Sequence, residues 1–142
     1  MKVRIHAWER ASRANGPGLR AVVWFQGCTL GCAGCFNPDT HSSGGGHEIE
    51  IATLMEEIAQ VPGIEGVSIS GGEPFQQPGA LAELASRICA AGMSVLVFSG
   101  YTLEWIRGNP EAASILAAVD VLVAGAYAVS YTHLTLPTIY SV

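Results

Sequence analysis

Four short apolar runs, residues 21–27, 67–70, 94–99 and 120–125, are rich in Val, Ile or Leu and read as buried strands. Between them, residues 49–60, 78–91 and 103–118 read as helices, with apolar positions at helical spacing. Pro78 suits a helix first turn, and Pro110 should break the third helix or start its second half. Residues 3–12 predict an additional strand at the sheet edge. Strands alternating with helices imply an α/β fold with a parallel sheet and right-handed crossovers.

The link from Cys28 to Glu48 breaks this rhythm. Connections in such folds usually run ~2–6 residues, and long ones tend to be functional. Its Gly44-Gly45-Gly46 is expected to be a mobile tip, either a lid or a plain flexible connector. Each strand also ends in a motif. Cysteines follow the first, SGGEP (70–74) the second, SGYT (99–102) the third and GAY (125–127) the fourth. All four sit at strand C-terminal ends, on the rim that is the active face in open sheets and β/α barrels.

Composition bounds the answer. At 142 residues, 49% hydrophobic and 13% charged, the chain is one domain able to bury a core. No apolar run approaches the ~18 residues of a membrane span. Residues 1–10 carry charge and show no signal peptide. A net charge of -5 argues against a nucleic-acid surface and leaves a protein partner open. The expectation is a cytoplasmic chain with no membrane and no nucleic-acid partner.

Candidate chemistry centres on Cys28, Cys32 and Cys35, three thiols within eight residues. In a cytosolic chain such a group reads as metal binding rather than disulfide. One reading is zinc closed by His41 or His47. The other is a four-iron cluster with one iron left open, favoured because no second C-x-x-C knuckle is present. Cys89 falls in a helix-like stretch and reads as an inert core thiol. In SGGEP, two glycines let a ligand approach the main chain and Glu73 offers a carboxylate to an ammonium group. The same residues also suit a plain strand-to-turn junction. Ser99 or Thr102 could simply cap the next helix, and Tyr101 could be a rim aromatic with no ligand role.

Together, C-x-x-x-C-x-x-C after the first strand and G-G-E after the second resemble the radical S-adenosylmethionine superfamily. Within it, the chain is similar to the activating enzymes of glycyl radical enzymes, especially those of the anaerobic ribonucleotide reductase. The matching stretches are NGPGLR (15–20), FQGCTLGCAGCFNP (25–38), SISGGEPFQQ (68–77) and FSGYTLE (98–104). The resemblance implies a partial, open β/α barrel, truncated here to about four β/α units. It implies that Cys28, Cys32 and Cys35 bind a [4Fe–4S] cluster whose open iron is chelated by S-adenosylmethionine. Gly71, Gly72 and Glu73 would hold the methionine end, Phe36 would lie near the adenine and Ser99 near the ribose. An electron donor such as flavodoxin or ferredoxin would drive cleavage, and the 5′-deoxyadenosyl radical would take a hydrogen from a glycine of the partner enzyme. Gly34 before the third cysteine matches the reductase activators. Ala124 stands where these activators often carry an acid, so no cofactor contact is expected there.

Residues 129–138 read VSYTHLTLPT, similar to what a transposase adapter from sequencing-library preparation encodes in one frame. Residues 1–128 are therefore expected to form the partial barrel and 129–142 a non-native tail, with any later strands lost.

Overall fold

The computed structural model describes residues 1–28, 42 and 44–125, together with the backbone of 138–141. Strand β1 (Lys2–Ser12) turns back into β2 (Arg20–Phe25), and the chain returns as β3 (His47–Glu50). Then follow α1 (Ile51–Ala59), β4 (Gly66–Gly71), α2 (Pro78–Ala90), β5 (Ser94–Ser99), α3 (Leu103–Gly108), α4 (Pro110–Ile115), β6 (Val121–Ala124) and β7 (Thr138–Ser141). One open sheet runs in the order β3-β1-β2-β4-β5-β6-β7. Its centre, β2-β4-β5-β6, is parallel, and β1, β3 and β7 pair antiparallel.

The parallel centre is built from the four apolar runs. Parallel strands bury their helix-covered face completely, so they carry apolar residues almost continuously. Val23, Ile69, Val97 and Leu122 face the helices and pack with Leu54, Ile58, Leu81, Leu84, Ile88 and Ile115. Each fully buried side chain of this kind contributes roughly 1.5–3 kcal/mol. On the opposite face Trp24, Ser70 and Phe98 stay half-buried. Asn109 splits the third predicted helix: its side chain accepts from the Ala112 N–H at 3.3 Å and caps α4, with Pro110 in the first turn. No helix among the described residues is long and apolar enough to cross a membrane.

Two expectations need correction. Strand β1 is not at the edge, because β3 pairs along it with Val3 opposite Ile49. The sequence HEIE is short and polar, so its pairing comes from β1 rather than from its own pattern. In the glycine triplet, Gly46 has φ +67°, and a Cβ there would strike the Ile5 carbonyl, so the main chain lies against β1 at that residue. Cys89 is exposed rather than in the core: the buried stripe of α2 runs through Leu81, Leu84 and Ile88 and leaves Cys89 at its margin. Its Sγ lies 3.1 Å from the Ala118 carbonyl.

The expected tail joins the sheet through β7, whose backbone pairs Thr138 with Ala124 and Ser141 with Val121. Leu134 and Leu136 lie outside the described residues.

Candidate functional site

Parallel register brings the motif-bearing strand ends to one rim, with Phe25 paired to Gly71 and Ser99 to Ala124. Gly71 has φ +101°, and a Cβ on it would run into the Phe25 main chain. The first glycine of SGGEP is therefore required by the close approach of β4 to β2. The next two residues fasten the base of the cysteine segment. Gly72 N–H donates to the Phe25 carbonyl and Glu73 N–H to the Gly27 carbonyl, both at 2.8 Å. Cys28 follows directly and is half-buried.

Glu73 turns inward and is 1% exposed. Its Oε1 accepts from Gly100 N–H at 2.7 Å, and its Oε2 accepts from Ser99 Oγ at 2.9 Å and Phe75 N–H at 3.0 Å. The carboxylate thus ties SGGEP to SGYT. Burial pushes its pKa up to about 7, against the opposing pull of the Gly100 and Phe75 N–H groups and the Ser99 hydroxyl. Ser99 is buried at the centre of this unit, and its Oγ also accepts from the Tyr101 N–H at 3.1 Å. Thr102, not Ser99, caps the next helix, accepting from the Trp105 N–H at 3.1 Å. Gly125 N–H closes the rim by donating to the carbonyls of Ser99 and Tyr101 at 3.1 and 2.9 Å.

Tyr101 stacks on Trp105 with centroids 3.7 Å apart, and its hydroxyl accepts from Gln76 Nε2 at 3.1 Å. The i, i+4 spacing across a helix start was the signal available for Trp105.

Of the predicted site residues, the structure brings Gly71, Gly72, Glu73, Ser99 and Cys28 to one rim. Cys32, Cys35 and Phe36 lie outside the described residues, as does His41. Among the described residues no three His, Cys, Asp or Glu side chains form a ligand set. His47, the other candidate zinc ligand, sits in β3 opposite Ile5. Cys28 is thus the one candidate thiol ligand whose place is described, and thiolate chemistry at the spacing of Cys28, Cys32 and Cys35 is compatible with an iron–sulfur cluster.

Comparison with known proteins bears on the family and the fold. A model of the 4Fe-4S single cluster domain matches residues 14–141. The pyruvate formate-lyase-activating enzyme of Clostridium pasteurianum is 41% identical over 86 residues, 57% of this chain and 36% of that protein. The enzyme of that name from Listeria monocytogenes is 36% identical over 101 residues, 68% of this chain and 41% of that protein. The chain thus spans about two fifths of the length of these relatives. The crystal structure of QueE from Escherichia coli superposes with a TM-score of 0.58 at 20% identity, over 72% of this chain and 54% of that one, which supports the fold. With the family match covering nearly the whole chain, and with thiol and G-G-E segments fastened together at one rim, the chain belongs to the 4Fe-4S single cluster domain family within the radical S-adenosylmethionine superfamily.

Proposed function

We propose that this chain carries out the chemistry of a radical S-adenosylmethionine activase, generating a glycyl radical on a partner enzyme. The observation that carries the reading is the 2.8 Å bond from Glu73 N–H to the Gly27 carbonyl, which fastens G-G-E one residue ahead of the first thiol. Cys28, Cys32 and Cys35 would hold the cluster, and their all-thiolate chemistry suits iron. When bound, the cluster and S-adenosylmethionine supply a one-electron reductive cleavage that no side chain offers. Gly71, Gly72 and Glu73 would position the methionine end, with Ser99 toward the ribose and Phe36 toward the adenine. Glu73 keeps its carboxylate fixed through Ser99 and Gly100, so its place on the rim is set before any ligand arrives. Flavodoxin or ferredoxin would deliver the electron.

Two partners are in play. Gly34 favours the anaerobic ribonucleotide reductase, whereas the names of the relatives favour pyruvate formate-lyase. A full-length version of the protein, reconstituted and reduced anaerobically with S-adenosylmethionine, is mixed with each candidate in turn. The reading expects methionine release and an oxygen-sensitive organic radical on the reductase by electron paramagnetic resonance, lost when the partner's radical glycine is changed to alanine. A radical on the lyase alone transfers the assignment to that partner. Methionine release without a radical on either overturns the activase reading.

A further inference from the structure

Two glutamine amides bracket the segment that carries the thiols. Gln77, just ahead of α2, spends its whole amide on main chain. Its Oε1 accepts from the Arg4 N–H at 2.9 Å, and its Nε2 donates to the carbonyls of Arg4 and Gln26 at 2.9 and 3.1 Å. These bonds lie beside the register shift between Ile5 and Ala7, where the β1–β2 ladder is interrupted. Gln26, 3% exposed, sends its own amide across the segment: Nε2 donates to the Ser42 carbonyl at 2.7 Å. One side chain thereby joins the point where the chain leaves the sheet to the point where it comes back.

The returning leg is shaped to that side chain. A Cβ on Gly45 would stand 2.6 Å from Gln26 Nε2, and one on Gly46 would stand 3.0 Å from Gln26 Cβ. Gly45 leaves room for the amide itself, and Gly46 for the Ile5 carbonyl and the Gln26 stem. Arg4 adds a second tie, with Nη1 donating to the Gly45 carbonyl at 3.0 Å and Nη2 meeting Glu48 at 2.9 Å. Holding both ends of a segment removes part of the closure entropy that ligand assembly would otherwise oppose.

We propose that Gln26 and Gln77 are positioning residues for the cluster, a two-amide bracket that fixes both ends of the thiol-bearing segment before metal enters. The proposal rests on the cluster reading above. It assigns a role to the glutamine of FQGC and the last of SGGEPFQQ that neither the thiols nor the G-G-E residues perform.

The test replaces each amide by a side chain of similar volume, Gln26→Met and Gln77→Met, so that packing is kept and hydrogen bonding is lost. Whole chain is reconstituted anaerobically, and iron release to excess chelator is timed. Hydrogen exchange at residues 44–48 is followed in the protein before iron is added. Each variant should release iron roughly tenfold faster than the unsubstituted chain, as expected for removing side-chain hydrogen bonds to the main chain that flanks the thiols. Each should also exchange faster at residues 44–48, while its far-ultraviolet circular dichroism stays unchanged. If one variant does not fold, the other carries the test. Folded variants that release iron and exchange at the original rates overturn the bracket and leave the cluster reading standing. An unsubstituted chain that takes up no iron overturns both.

Discussion

The two ends of the parallel strands use one physical device to different effect. At the lower end, where β2, β4 and β5 begin, Arg20 is 2% exposed. Its Nε donates to Ser68 Oγ and its Nη1 to Ser94 Oγ, both at 2.8 Å. Its Nη2 donates to the carbonyls of Ser94 and Val67 at 3.0 and 3.1 Å. At the upper end Glu73 does the same with opposite charge, accepting from Phe75, Ser99 and Gly100. Each buried charge staples neighbouring strand ends. Burial lowers the Arg20 pKa, opposed by the fields of Glu65 and Asp120, yet a guanidinium keeps its proton at any ordinary pH. Burial brings Glu73 into the neutral range. One end is a fixed lock; the other is a staple that titrates, on the rim that carries the thiol.

The largest expected effect is at the lock. Arg20→Ala leaves Ser68, Ser94 and two carbonyls without their charged donor and should lower stability by about 3 kcal/mol. For a chain of this size that is a fall of roughly 10 °C in Tm by calorimetry. A fall of a degree or less would show that the lower staple carries no weight.

The upper staple should reveal itself through pH. The folded carboxyl titrates near 7, raised from 4.5, so the folded state holds its proton more tightly than the unfolded chain. Stability is therefore fullest below pH 4.5, declines as pH rises toward about 7, and is level above that. Denaturant titrations of the chain and of Glu73→Gln should diverge by about 3 kcal/mol across this window. Parallel curves would mean that Glu73 is solvated in solution. Arg20 should contribute no slope there.

How much of this was readable from residues alone differs between the two ends. The upper rim was legible because four apolar runs each finish in a small motif, and buried parallel strands need such runs. The shared rim followed from the parallel order. The lower lock carried no comparable signal. Ser68 and Ser94 are ordinary residues in sequence, and their convergence on Arg20 exists only after β4 and β5 align beside β2. Strand β3 was missed for a related reason: its pairing with β1 decides it, not its own polar pattern. The role of Gln77 carries no sequence signal, because an amide that mimics strand main chain has no periodicity.

The smallest effect should be at Cys89. Its thiol is exposed and touches only the Ala118 carbonyl among the described hydrogen bonds, so Cys89→Ser should change stability by less than ~0.5 kcal/mol. A loss comparable with that of Arg20→Ala would return the thiol to the core.

The central claim is that the upper rim holds an iron–sulfur cluster on Cys28, Cys32 and Cys35. Its most direct measurement is iron, acid-labile sulfide and zinc per chain after anaerobic reconstitution, for the chain and for Cys28→Ala. The account predicts about four irons and about four sulfides for the chain, none for Cys28→Ala, and no zinc in either. One zinc per chain, with no iron taken up, would contradict it.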